Sequence, residues 1–289
     1  MDTRSDYFDT LARAEQVIRW LPDPEPLPLT ESPTGLLRIG VDLGTAYLVL
    51  VVLDEDNQPL AGEYQFAQVV RDGLVVDYLG AIDLLVEMKS RVEARLGREL
   101  THAASGYPPG VPQVEVRATT NVVEAAGLRC TRMVDEPSAA NAVLKLKDGA
   151  IVDVGGGTTG IAILQDGKVV YTADEASGGT HFSLVVAGAQ DISFESAEEM
   201  KVNPAEQARL FPIVRPVMEK VADIAARHIR ISQVDVKNLT LVGGTSTFPG
   251  MADVVAEYTG LPTYVPERPV FVTPIGIAMN DEQVETQDY

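Results

Sequence analysis

The sequence predicts an α/β protein of two lobes, each contributing one phosphate-facing hairpin. Residues 150–164, AIVDVGGGTTGIAIL, read as strand, tight glycine turn and strand, with Asp153 closing the first strand. Residues 37–53, LRIGVDLGTAYLVLVVL, repeat that arrangement around Asp42, a glycine-containing turn and Thr45. The two aspartates are 153 − 42 = 111 residues apart, and such internal self-similarity points to a duplicated domain. Glycine lets a ligand approach bare backbone, and successive amides in such a turn form an anion-binding concavity. A strand rather than a helix follows these glycines, so neither a P-loop nor a dinucleotide-binding loop fits.

Composition narrows the setting. With 289 residues, 45% apolar and 22% charged, the chain is globular in class and long enough for two lobes. No apolar run approaches the length of a membrane span, and MDTRSDYFDT lacks the basic-then-apolar order of a signal peptide. Cys130 is the single cysteine, which excludes an intramolecular disulfide and suits a reducing cytoplasm. A net charge of −19 argues against nucleic acid as a general partner. It leaves ATP open, because a nucleotide needs only a local site with a cation.

In chain order, Tyr7, Phe8, Leu11, Ala14, Ile18 and Leu21 fall at helical spacing, and the prolines of PDPEPLPLTESP then favour an extended linker. The expectation for 1–35 is an amphipathic helix over 7–21 on a Pro-rich tether, either a docking element or a helix lying back on its own domain. After the first hairpin, residues 68–77 read as strand, turn, strand. A helix follows with Ile82, Leu85, Val92 and Leu96 on one face and Gly97 at its stop. Residues 101–107 form a small-residue strand, 113–126 a helix, and 128–134 a strand running into Asp135-Glu136-Pro137.

Pro137 suits a first helical turn, which places Glu136 at a strand–helix junction. There it can point into a cleft or serve as an N-terminal acid favoured by the helix dipole. Ala139-Ala140 leaves room for another backbone to pass. Past the second hairpin, SGGTHF at 177–182 opens a helix, and a longer helix spans about 204–230, with Pro212 and Pro216 predicting a break or kink. Leu239–Val242 is a strand running into GGTSTFPG at 243–250. Residues 274–278 begin a last helix, and the polar tail after Met279 is expected to fray. No His/Cys/carboxylate cluster has metal-ligand spacing.

Five motifs then stand in a telling order: DLGT at 42–45, DEPSAANA at 135–142, DVGGGTTG at 153–160, LVGGTSTFPGM at 241–251 and TPIGIAM at 273–279. They resemble the first phosphate loop, first connecting helix, second phosphate loop, adenosine loop and second connecting helix of the actin/Hsp70/sugar-kinase ATPase superfamily. SGYPPG at 105–110, AAGL at 125–128 and SGGTHF resemble its Hsp70 branch. VVRDGLVVDYLGA at 69–81, DGKVVYTADEASGGTHFSLVVAG at 166–188 and PVMEKVADIAARHI at 216–229 are similar to the ethanolamine-utilisation protein J family, an Hsp70-like component of bacterial microcompartment operons. The resemblance covers roughly 36–280.

That resemblance implies a two-lobed actin/Hsp70-like ATPase fold built from duplicated ribonuclease-H-like domains with a nucleotide cleft between them. Lobe I would be 36–149 with helix 274–282 packing back on it, and lobe II 150–273. ATP or ADP with Mg²⁺ is the implied cofactor. Asp42 and Asp153 would hold the ion through water, and Glu136 would orient the attacking water, these three forming the catalytic set. Gly44, Thr45, Gly155, Gly156, Gly157, Thr158 and Thr159 would bind the phosphates, Gly178 and Gly179 would complete that region, and Gly243, Gly244, Thr245 and Ser246 would line the ribose and adenine pocket.

Departures temper the activity. Ala46 replaces the second threonine of Hsp70's first loop, Thr180-His181-Phe182-Ser183 lacks its acidic turn residue, and Thr247 stands where an arginine packs on adenine. A phosphate-contacting lysine has no evident counterpart, and no peptide-binding domain follows residue 279. ATP binding with slow hydrolysis is therefore the expectation, since losing a positioned catalytic group costs ~10²–10⁴ in rate. The implied role is a nucleotide-switched chaperone or reactivating factor. Its partners would be ethanolamine-degrading enzymes or microcompartment shell proteins, in a cytoplasmic, microcompartment-associated setting without membrane or nucleic-acid partners. A small-molecule kinase of the same superfamily and a non-hydrolysing scaffold or adaptor are the alternatives.

Overall fold

A computed structural model describes residues 10–14, 18–20, 32–71 and 74–282. The chain divides into two compact units. The first takes the described residues up to Leu144 together with those from Phe271, and the second is Lys145–Val270.

The first unit is built on a six-stranded sheet in the order β1-β4-β3-β2-β7-β8. Its strands are β1 (Ile18–Trp20), β2 (Arg38–Leu43), β3 (Tyr47–Leu53), β4 (Pro59–Phe66), β7 (His102–Tyr107) and β8 (Arg129–Asp135), while β5 (Val70–Arg71) and β6 (Leu74–Val75) form a separate small hairpin. β2, β3 and β4 are antiparallel neighbours, whereas β7 and β8 add in parallel. The YLVLVVL run of β3 is buried from its second residue onward, as a strand covered on both faces requires.

Helix Tyr78–Leu96 covers one face with Ala81, Leu85, Met88, Val92 and Leu96. Asp77 caps it by accepting from the Gly80 amide at 2.9 Å, and Gly97 closes it with φ 62°. Ala103 joins this core, while its strand neighbour Ala104 joins Val134, Ala139 and Ile277 in another. Strand alternation thus feeds two packed layers. Helices Glu136–Leu144 and Val272–Met279 meet at Gly276, where a Cβ would overlap the Ala139 carbonyl. Gly40 admits the second of these helices onto β2, a Cβ there coming within 2.6 Å of the Ala278 nitrogen. Small residues set both approaches.

The second unit repeats the plan with a five-stranded sheet in the order β11-β10-β9-β12-β13. Its strands are β9 (Gly149–Val154), β10 (Thr159–Gln165), β11 (Lys168–Glu175), β12 (Leu239–Val242) and β13 (Thr263–Tyr264). β9, β10 and β11 are antiparallel, and β12 and β13 add in parallel. Helix Pro204–Ser232 packs Leu210, Val214, Val217, Val221 and Ile224 into its core. Helices Gly179–Gln190, Phe194–Val202 and Met251–Thr259 complete it.

Three local expectations change. Ile18–Trp20 is a strand parallel to Gly62–Tyr64, not the end of a 7–21 helix. Its backbone finds partners on the edge of β4, which helical spacing alone does not reveal. Residues 10–14 are helical, with Leu11 and Ala14 fully buried and Arg13 Nε donating to the Pro59 carbonyl at 2.7 Å. These described stretches are therefore part of the first unit rather than a free tether, and the rest of 1–31 lies outside the described residues. The 29-residue helix Pro204–Ser232 runs unbroken through Pro212 and Pro216, held by its apolar stripe.

Nor does the chain fray directly after Met279. Asp281 is 1% exposed and accepts from the Ile39 amide at 2.8 Å and from Thr131 Oγ1, with His102 Nε2 at 3.1 Å. Arg38 Nη1 donates to the Asp281 carbonyl at 3.3 Å. The polar residues that made this tail look loose are the ones that fasten it.

Candidate functional site

The two aspartate hairpins superpose in pattern residue by residue. In the first, Asp42 pairs with Val49 and Leu43 with Leu48, leaving residues 44–47 as the connection. In the second, Asp153 pairs with Gly160 and Val154 with Thr159, leaving residues 155–158. Each aspartate thus sits one pair before a turn of the same length, on a strand whose other neighbour is parallel. Among the described residues, the amides of Gly44, Thr45 and Ala46 and those of Gly156, Gly157 and Thr158 donate to no protein acceptor. In each unit, such donors beside a carboxylate suit an anion with a bound cation.

Support differs between them. A Cβ at Gly44 would lie 2.7 Å from the Tyr47 carbonyl, and the Ala46 carbonyl accepts from the Ala67 amide at 3.0 Å. Asp42, Gly44 and Thr45 are half-buried. Asp153 is 8% exposed, and the second turn is braced from three sides. The Gly155 amide closes the turn on the Thr158 carbonyl at 3.0 Å. Its carbonyl accepts from the Gly179 amide at 3.0 Å and from Thr245 Oγ1 at 2.8 Å, while the Gly156 carbonyl accepts from the Thr180 amide at 2.7 Å.

These braces assign several expected ligand-binding groups another task. Thr159 is 0% exposed, and its hydroxyl donates to the Ser177 carbonyl at 2.6 Å. The Thr245 hydroxyl is held by Gly155, and Ser246, 3% exposed, donates to the Val242 carbonyl at 2.6 Å. Gly178 is buried because a Cβ would lie 2.6 Å from the Gly155 carbonyl. Gly243 has φ 85°, with a Cβ position 2.5 Å from the Val154 carbonyl and overlapping the Asp153 carboxylate. Glycine is required there by both conformation and space. Gly157 is buried within the second turn, whereas Thr158 is half-buried and Gly244 exposed.

Glu136 begins its helix at the end of β8 and is half-buried, its Cγ 3.5 Å from where a Cβ on Gly106 would stand. Asp135 caps that helix, accepting from the Ser138 amide at 3.0 Å. His181 accepts from the Gly178 amide at 3.3 Å, a turn-closing role.

One cluster escaped the sequence reading. Lys201 Nζ donates to the Gly179 carbonyl at 3.1 Å and to Glu198 Oε2 at 2.6 Å, and Ser183 Oγ donates to the same oxygen at 2.5 Å. Glu198 Oε1 is buried without a hydrogen-bond partner. Burial pushes the Lys201 ammonium below its ordinary range, opposed by Glu198. The contact with Gly179 spans 22 positions and becomes visible only in three dimensions.

Among the described residues no group of three or more His, Cys, Asp or Glu forms a metal cage. The donor chemistry fits Mg²⁺ in its usual mode, in which one or two carboxylates act with retained waters and phosphate oxygens. No described helix is long and apolar enough to cross a membrane.

Residues 115–273 match the family model described as type IV pilus assembly protein PilM. The ethanolamine utilization protein EutJ of Escherichia coli K12 is 43% identical over 255 residues, covering 88% of each chain. The HscA chaperone homologue of Burkholderia thailandensis is 26% identical over 258 residues, 72% of this chain and 42% of that protein. Among solved structures, EutJ from Carboxydothermus hydrogenoformans aligns with TM-score 0.84 and 40% identity over 96% of this chain and 99% of its own. A PilM–PilN type IV pilus biogenesis complex aligns at TM-score 0.71 and 16% identity, covering 84% and 97%. MreB 5 of Spiroplasma citri bound to AMPPNP aligns at 0.67 and 18%, covering 86% and 96%. The last two share the fold, which is therefore the actin/Hsp70-like one.

Proposed function

This chain belongs to the EutJ family of ethanolamine-utilisation proteins, within the actin/Hsp70-like group, and from that premise we propose an ATP-binding, Hsp70-like chaperone or reactivating factor. Its clients would be ethanolamine-degrading enzymes or the shell proteins of a bacterial microcompartment, in the cytoplasm. The observation that carries nucleotide binding is the matched pair of hairpins, each with a carboxylate one pair before a turn of uncommitted amides. Relatives support it: one fold neighbour is bound to AMPPNP and a sequence relative is a chaperone.

In this reading the amides of both turns, with the hydroxyls of Thr45 and Thr158, bind the phosphates. Asp42 and Asp153 would hold Mg²⁺ through water, the ion supplying charge neutralisation at the phosphates. Thr159, Thr245 and Ser246 act indirectly, by fixing the turns. The Lys201–Glu198 pair acts beside them by holding the Gly179 carbonyl. Glu136 orients water for slow hydrolysis, and nucleotide binding alters partner contacts.

Calorimetric titration with ATP, with and without Mg²⁺, tests the site. Asp42→Ala and Asp153→Ala are each expected to weaken Mg-dependent binding by about tenfold or more, as losing a charge-assisted contact does. Unchanged affinity in both variants overturns it. Partner capture is expected to differ between apo, ADP and ATP states, and indifference to nucleotide would remove the switch.

A further inference from the structure

Helix Pro204–Ser232 meets the edge strand β11 through a polar cluster that none of the expected nucleotide contacts uses. Glu175, the last residue of β11, accepts from Arg227 Nη1 at 2.5 Å and Nη2 at 3.0 Å. His228 Nε2 lies 2.6 Å from Glu175 Oε1, and His228 Nδ1 lies 2.6 Å from the Tyr171 hydroxyl. A neutral imidazole that donates from Nε2 and accepts at Nδ1 satisfies all of these groups together. Arg227 Nε also stands 3.8 Å from Asp223, which accepts from Tyr258 at 3.0 Å. The arginine is thereby held from two sides.

The position of this cluster matters more than its strength. Glu175 pairs in register with Thr159, the first residue beyond the second glycine turn. The five residues after Glu175 then form the bed on which that turn rests. The Ser177 amide donates to the Glu175 carbonyl at 2.8 Å, the Ser177 carbonyl holds Thr159 Oγ1, and the Gly179 and Thr180 amides hold the Gly155 and Gly156 carbonyls. Lys220, on the same long helix, donates to the Ala176 carbonyl at 3.2 Å. The helix therefore grips residues 175 and 176, and residues 177–180 grip the turn.

Stability alone gives little reason for the arrangement. The Arg227 and Glu175 side chains are 40% and 32% exposed, and pairs so exposed add little to folding. A bidentate guanidinium–carboxylate pair instead fixes orientation. Groups that orient a ligand's direct contacts, without touching the ligand, govern affinity in this way.

We propose that the Glu175–Arg227–His228–Tyr171 cluster is a positioning clamp that sets the pose of the Gly155–Thr158 turn, and through it the affinity for nucleotide phosphates. This rests on the reading of that turn as a phosphate site. Glu175 and Arg227 are positioning residues and touch no ligand. Tyr171 and His228 keep the carboxylate aimed along the sheet edge.

The test uses the full chain and the variants Glu175→Gln, Arg227→Gln and the charge swap Glu175→Arg/Arg227→Glu. Three readouts are taken: titration with MgATP and MgADP, amide hydrogen exchange resolved at Gly179 and Thr180, and the melting temperature. Glu175→Gln is expected to weaken MgATP binding by about tenfold, the lower end for a second-layer orienting group. Exchange at Gly179 and Thr180 rises, exchange at the β9 amides stays as in the wild type, and Tm moves by no more than about 4 °C. The charge swap recovers part of both the protection and the affinity.

Wild-type exchange at Gly179 and Thr180 in both single variants overturns the clamp. Raised exchange with unchanged affinity overturns its role in binding. A wild-type chain that binds no ATP refutes the phosphate site itself, and the exchange readout still decides whether the clamp holds the turn.

Discussion

The first glycine hairpin has partners on its own strands, whereas the second is also held from three other segments. Around Gly44 the contacts include Tyr47, two positions past Thr45, and Ala67 from the adjoining strand end. Around Gly155 they come from Ser177, Gly179 and Thr180, from Thr245, from Gly243 and, through Gly179, from Lys201. The sequence makes the two look like copies, and their strand registers are copies. Their sets of partners are not. A turn with three consecutive glycines carries the largest backbone entropy, so it needs external partners to keep one pose. The turn with one glycine, followed by Thr45 and Ala46, needs fewer.

Substituting the glycines breaks the comparison most sharply. Gly243→Ala places a Cβ against Val154 and Asp153 at φ 85°, combining left-handed strain with overlap. A loss of about 2–5 kcal/mol in unfolding free energy is expected, read by denaturant melting together with loss of ATP binding. Gly44→Ala meets a single carbonyl at 2.7 Å, and about 1–2 kcal/mol is expected. Equal losses would show that the second hairpin is no more dependent on its surroundings than the first.

The threonines give a smaller contrast. Thr159→Val removes the donor to the Ser177 carbonyl and leaves a buried acceptor unsatisfied, costing about 1–3 kcal/mol. Thr45→Val is expected to leave the melting temperature unchanged and to weaken ATP binding alone. A destabilised Thr45→Val protein would overturn the division between bracing and binding hydroxyls.

Smallest is the acid response of the brace. The Arg227 hydrogen bonds lower the Glu175 carboxyl to about 2 from 4.5, burial opposing and His228 assisting. The folded state therefore holds this carboxylate charged where the unfolded chain protonates it. Its contribution is complete above about pH 4.5 and is lost as pH falls toward 2. Given a one-third exposed side chain, about 1 kcal/mol is expected. Glu175→Gln should flatten the stability-versus-pH curve in that window and, at pH 7–8, lower it by this full contribution without changing its slope. An unaltered slope would remove the charge from the account.

What was legible in the chain was local. Asp42 and Asp153 at strand ends, the glycine turns, the Glu136-Pro137 helix start and the small residues Ala139, Ala140 and Gly276 each announce themselves within a few positions. These residue types restrict backbone and bulk wherever they stand, so the strand ends and the place of each hairpin follow from them. The folded structure alone decided which hydroxyls were still uncommitted. Thr245 reaches Gly155 across 90 positions, Lys201 reaches Gly179 across 22, and Arg227 reaches Glu175 across 52. The strand at Ile18–Trp20 depended likewise on the edge of β4, and the fastening of Asp281 on strands more than 150 residues earlier in the case of Ile39. A hydrogen bond between distant residues leaves no period or composition in the sequence; it exists only once the sheet has brought both groups within 3 Å.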